Sequence, residues 1–153
     1  MVMFIFEMFF YFLLWTLMIY WIHRLAHQYR IPVFSYFHRE HHKFVASNKI
    51  TWKFNNVFLF NDNWPSTIDF WLTEVIPTAI FVLLTGQYWL GIFFYLYAAF
   101  VQEWVEHNEN FNGYPYYTSG QWHLLHHTNY PCNFGIGTPI WDLVFGTARK
   151  LST

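Results

Sequence analysis

The segment His123-Leu124-Leu125-His126-His127 carries three imidazoles at i, i+3 and i+4. On an α-helix these positions share one face, so the three rings aim at one spot. The same spacing recurs at His38-Arg39-Glu40-His41-His42, and His23-Arg24-Leu25-Ala26-His27 has the i, i+4 spacing. His107 completes the nine histidines of the chain. Neutral imidazole is a borderline ligand that suits iron, zinc, copper and nickel. Nine histidines exceed what one ion needs, so the natural reading is two ions sharing them, four or five nitrogens each. The fold must therefore bring four separate segments to one place. A bis-histidine haem site would need its ligands on the membrane spans themselves, whereas these cluster beyond the spans.

The scaffold implied is a membrane one. The chain has 153 residues, enough for a single domain over 1–153, and is 55% hydrophobic but only 11% charged. A soluble domain is typically about 25% charged. Val2 to Ile22 is an apolar run broken only by Glu7 and Thr16. As a helix it spans about 31 Å, the thickness of the hydrocarbon core. It lacks the basic start and small-residue cleavage site of a signal peptide, so it reads as a retained transmembrane helix running on into His23 and His27. Pro32 is expected to end it, and a second helix over Phe34 to Lys43 to carry His38, His41 and His42. The Asn-rich stretch from Ala46 to Pro65 reads as irregular and interface-hugging. Thr67 to Leu84 and Tyr88 to Val105 then form a transmembrane hairpin around Thr85-Gly86-Gln87, with Gly86 as a C-cap. Asp69, Glu74 and Pro77 make its first half a poor lipid-facing helix, and a partly re-entrant segment is the alternative.

The expected fold is thus an all-α, integral-membrane bundle of about three transmembrane spans with a histidine-rich helical cap. The hairpin leaves the side of His42 and returns to it, so all nine histidines fall on one face. All eight Lys and Arg residues (Arg24, Arg30, Arg39, Lys43, Lys49, Lys53, Arg149 and Lys150) fall on that face too. By the positive-inside rule it is cytoplasmic. A net charge of −1 gives no reason to expect nucleic acid. The single cysteine, Cys132, excludes an intrachain disulfide and has no metal spacing; it is expected to be buried.

The order of boxes resembles the fatty acid hydroxylase and sterol desaturase superfamily. Tyr20-Trp21-Ile22-His23-Arg24-Leu25-Ala26-His27 is similar to the first box of that group, and Phe37-His38-Arg39-Glu40-His41-His42-Lys43 to its second. Asn133-Phe134-Gly135, followed by Trp141-Asp142-Leu143-Val144-Phe145-Gly146-Thr147, resembles the close of many members. The resemblance implies a membrane-bound non-haem di-iron oxygenase, using O2 and two iron ions (zinc being an alternative occupant in a purified protein) to hydroxylate or desaturate a lipid such as a sterol or fatty acyl chain. The metal ligands implied are His23, His27, His38, His41, His42, His107, His123, His126 and His127. Electrons come from a separate donor, a cytochrome b5-type protein or a ferredoxin, because no fused donor domain fits in this length. Location is multi-pass in a membrane, the endoplasmic reticulum in a eukaryote. One span before the first box, where longer members have more, leaves room for a homodimer or a shallower seat.

Many members carry a further histidine four residues after the one matching His107, where this chain has Phe111. Either a water or a carboxylate fills that gap, with Glu103 and Glu106 as candidates, or one metal has fewer ligands; the competing reading of the two glutamates is a solvated or interfacial helix end. Ligating imidazoles usually donate their other N–H to a carboxylate or carbonyl. Asp142, Glu40 and Glu106 are candidates for that role, with a turn or capping function the competing reading for Asp142. The alternatives to a sterol or fatty acyl hydroxylase are a carotenoid hydroxylase, whose usual tail lacks the Trp-Asp…Phe-Gly-Thr close, and a non-catalytic relative that binds metal or lipid.

Overall fold

The computed structural model describes residues 2–28, 31–114, 116–118, 120–129 and 131–149. Arg30 and Lys150 lie outside the described residues. The described residues form helices and no β-strand. They are α1 (Val2–Ala26), α2 (Pro32–Ser47), a 3-10 turn (Phe54–Phe58), α3 (Trp64–Phe70), α4 (Ile76–Thr85), α5 (Tyr88–Tyr97), α6 (Glu103–Glu106), α7 (Gln121–Thr128) and α8 (Ile140–Val144).

α1 contains neither Gly nor Pro, so nothing interrupts its hydrogen-bond ladder. Its first part leaves Met3, Phe4, Ile5, Phe6, Phe9 and Phe10 exposed, while Trp15, Ile19, Tyr20 and His23 are buried further along. Pro32 behaves differently from expectation. α1 has already ended at Ala26, and Pro32 instead opens α2. At a first helical position the missing N–H costs nothing, because that donor has no intrahelical partner in any residue. α2 then buries Ser35, His38, His42 and Val45, a stripe at helical spacing.

α3 and α4 are joined by a π-helical turn, Trp71–Val75, into one continuous helix. Asn63 caps its start by accepting the Ser66 N–H at 2.8 Å. The π turn accommodates Pro77: the Ile76 N–H reaches back five residues to the Trp71 carbonyl, widening the helix just before the proline. Gly86 closes the helix in the left-handed region, its N–H on the Val82 carbonyl, as a C-cap should. α5 and α6 are likewise joined by a π turn, Ala98–Gln102, into a helix over 88–106.

Two of these helices, Met3–Ala26 and Trp64–Thr85, are long and apolar enough to cross a membrane. The stretch over 88–106 is of similar length but carries Gln102, Glu103 and Glu106 near its end and is not among them. The three pack around Trp15, Ile19, Phe70, Val82, Leu90 and Phe94. Trp15 donates to Thr78 Oγ1 at 2.9 Å, tying α1 to α4, and Trp141 on α8 donates to Thr16 Oγ1 at 3.0 Å.

The last histidine box is placed by a close backbone contact. The Phe111 carbonyl accepts the Gln121 N–H at 2.9 Å, and Asn112 bridges Gly120. Gly120 sits at φ +59°, and a Cβ there would lie 1.8 Å from the Phe111 carbonyl oxygen. Gly120→Ala should therefore destabilise the protein by at least about 2 kcal/mol. Thermal unfolding in detergent should show a lower midpoint, and an unchanged midpoint would mean that this loop does not anchor α7.

Candidate metal centre

All nine imidazoles meet at one end of the helices, in two groups. His23, His27, His38, His42 and His126 form one, and His41, His107, His123 and His127 the other; within each, the ligand atoms lie within 4.8 Å of one another. The helix spacing explains the division. His38 and His42 are one turn apart and go to the first group, while the intervening His41 points to the second. On α7, His126 joins the first group, and His123 and His127, again one turn apart, the second. His107 arrives from the end of α6 and His27 from just past α1.

The outer ring nitrogens fix the tautomers. His23 Nδ1–H donates to the Phe134 carbonyl at 2.8 Å, and His126 Nδ1–H to the Cys132 carbonyl at 2.6 Å. His107 Nδ1–H donates to the Glu103 carbonyl at 2.7 Å. A carbonyl can only accept, so the proton is on Nδ1 in all three, and each Nε2 presents a bare lone pair. Yet His23 Nε2 and His126 Nε2 stand 2.9 Å apart. Two lone pairs at that distance repel unless a cation lies between them.

The other inward contacts repeat this spacing. His27 Nε2 is 3.1 Å from His126 Nε2 and 2.8 Å from His38 Nε2, and His42 Nε2 is 3.1 Å from His38 Nε2. In the second group His127 Nε2 lies 2.9 Å from His123 Nε2 and 3.2 Å from His107 Nε2. Metal–imidazole bonds of ~2.1 Å set at right angles give edges of ~3.0 Å. The donor set thus fits a metal ion in each group by type, number and separation.

Electrostatics agrees. Burial, reinforced by the neighbouring imidazoles, pushes His27, His41, His42, His123, His126 and His127 well below the usual imidazole range, and burial holds His107 at about 4. These rings are neutral at physiological pH, the form that binds metal.

Asp142 acts through the backbone. It is fully buried and touches no histidine directly; its carboxylate accepts the Phe134 and Gly135 N–H groups, both at 2.8 Å, and the Thr147 hydroxyl at 2.7 Å. It thereby fixes the 132–136 loop whose carbonyls orient His23 and His126. Gly135 is needed there, since a Cβ would lie 2.7 Å from Asp142 Oδ2. Glu40 pairs with Lys43 at 2.7 Å and plays no part in the cage. Glu103 and Glu106 are buried, so they do not end a helix in solvent, and neither belongs to either donor group. Glu106 accepts the Tyr97 hydroxyl at 2.6 Å. Both line a small cavity of about 30 Å3 with Asp69, Glu74 and six of the histidines.

Asp69 is the residue that sequence reasoning missed: its carboxylate accepts His38 Nδ1–H at 3.0 Å. The available signal was a carboxylate in an apolar helix, which marks a functional position more often than a structural one. Phe111 is 40% exposed and packs its ring near Tyr117, outside both groups.

Helices of membrane-spanning length beneath a two-part cluster of nine imidazoles that could hold metal ions define the architecture. Residues 8–147 match the family described as Fatty acid hydroxylase, and the chain belongs to that family, one of hydroxylase-type oxidoreductases that are typically metal-dependent. No curated protein and no solved structure matches it.

Asp142→Asn replaces one of the two acceptor oxygens with an amide NH2, which cannot accept a backbone N–H. Metal affinity should fall by about 10–100-fold, the usual effect of losing such support, as measured by cobalt or zinc titration of the purified protein. Asp69→Ala, which leaves His38 Nδ1–H without its acceptor, should act the same way. Unchanged affinity in both variants would mean that the ring orientations are set elsewhere.

Proposed function

We propose that this protein is a membrane-bound, O2-dependent di-iron oxidoreductase that hydroxylates a lipid such as a sterol or fatty acyl chain, with desaturation as the closely related outcome. The observation that carries this reading is the pair His23 and His126, whose bare Nε2 atoms stand 2.9 Å apart. Family membership supplies the reaction class. A bound pair of iron ions supplies the redox chemistry by which O2, two electrons and two protons convert an unactivated C–H bond and yield the alcohol and one water.

The chain's own residues do the rest. The nine imidazoles hold the ions without protons to displace. The Phe134, Cys132 and Glu103 carbonyls and the Asp69 carboxylate keep four of the rings turned inward. The apolar helices hold the lipid's surroundings dry. Three spans place the cage on the cytoplasmic face, a placement supported by the exposed apolar surface of α1 and by the cationic residues flanking the histidines. Electrons arrive from a separate cytochrome b5-type protein or ferredoxin. Hydroxylation is favoured because the Trp141-to-Thr147 close is shared with many hydroxylases.

The test is lipid profiling of a host expressing wild-type protein or His126→Ala. Wild type should yield a lipid with one added oxygen or two fewer hydrogens, and the variant none, while both reach the membrane equally. Purified wild type should carry two iron ions per chain. Tight zinc binding with no O2 uptake under any donor or lipid would instead favour the non-catalytic relative.

A further inference from the structure

A cleft of about 680 Å3 opens between residues 45–52 and 104–110. His107 lines it, and no other histidine of the cage does. Its wall contains Val45 and Ile50, both buried, and the half-exposed rings of Trp52 and Trp104. Its lip is polar, with Lys49 and Asn110 exposed. The cleft exists because the chain leaves the helix at His107, so that no further turn carries a side chain over that flank of the four-imidazole group.

We propose that this cleft is the substrate entrance, and that it admits the polar end of a single-chain amphiphile, placing carbons close to that end beside His107. The inference rests on the lipid-oxidising reading above. Tryptophans at the end of an apolar helix mark the membrane–water boundary, and Trp104 stands one turn before His107. The cleft therefore lies at headgroup level. A sphere of its volume is on the order of 11 Å across, about half the extended length of a long acyl chain. The head and its neighbouring carbons fit, while the rest of the chain stays in the bilayer. Bringing the terminal methyl to His107 instead would draw the tail past a polar lip, removing each of its methylenes from the hydrocarbon at a free-energy cost. Lys49 offers the head a cation, with Glu109 as the one anionic residue lining the same cleft.

The experiment uses the metal-loaded protein in phosphatidylcholine vesicles with two photoreactive palmitic acids, one carrying a diazirine next to the carboxyl end and one near the methyl end. The first should label residues 45–52 or 104–110 at least about tenfold more than the second. Ala46→Trp, at an exposed position lining the cleft, should abolish most of that label with metal content unchanged; Ser47→Trp provides a second obstruction should the first misfold. Methyl-end labelling of Phe9 and Phe10 should stay as in wild type. Equal labelling by both isomers, no label in the cleft, or label insensitive to both substitutions overturns the entrance. Lipid oxidation measured on the same vesicles keeps the two readings apart: oxidation without cleft labelling removes only the entrance, and cleft labelling without oxidation removes only the enzyme.

Discussion

The structure depends on holding bare imidazole lone pairs face to face in a dry interior. Two neutral rings that both carry their proton on Nδ1, as His23 and His126 do, cannot bond to one another through Nε2, so that contact gains nothing in the absence of a cation. What holds the cage is the periphery. His23, His126 and His107 are each anchored by a backbone carbonyl, and His38 by Asp69. Two of those carbonyls belong to one loop, and that loop is pinned by Asp142. The Trp-Asp…Phe-Gly-Thr close is therefore mechanically part of the cage although none of its residues faces the centre. Trp141 extends the same chain of contacts to Thr16 on α1, so the helix that delivers His23 and the loop that orients it are fixed to each other.

The same periphery explains the polar residues inside apolar helices. Asp69 and Glu74 are buried, as are Gln102, Glu103 and Glu106 on the neighbouring helix. Buried carboxylates are costly unless partnered. Here Gln102 donates to Glu74 at 2.7 Å, joining the two π turns directly, and Tyr97 serves Glu106. The π turns lie where these polar groups must turn inward, and helices commonly widen in this way at functional sites. Each helix can then keep an apolar outer surface and a polar seam beneath the cage. This makes a re-entrant segment unnecessary: Trp64–Thr85 is continuous, and its charged residues face protein.

Much of this was legible in the sequence because imidazole spacing and apolar length are local properties. The i, i+3, i+4 boxes specify which rings share a helix face, and the hairpin around Gly86 specifies which segments return to the same end. What could not be read depends on contacts between distant segments or on backbone atoms. Every residue has a carbonyl, so nothing in Cys132, Phe134 or Glu103 advertises the hydrogen bond it accepts. Pro32 was ambiguous because the same ring that breaks a helix interior is welcome at a helix start. Glu103 and Glu106 stand close to His107 in sequence, which suggested a ligand or a solvated end. The helix instead turns them toward the neighbouring helix, into the buried polar seam.

The departure at Phe111 takes on a different meaning in this light. It looks like a ligand lost from a helix, but the helix ends at His107 and residue 111 lies on the loop that follows. There its carbonyl accepts Gln121 N–H, and Gly120 must lack a side chain to let it approach. The contact sets the start of α7 and hence the position of His123, His126 and His127. That link is made by backbone atoms alone, and the Phe111 side chain stands outside both imidazole groups. The two groups are unequal, five imidazoles and four, with the smaller one bordering the larger cleft. An ion held by four nitrogens retains more room for additional ligands than one held by five, and it is the four-imidazole group that has a histidine lining the cleft.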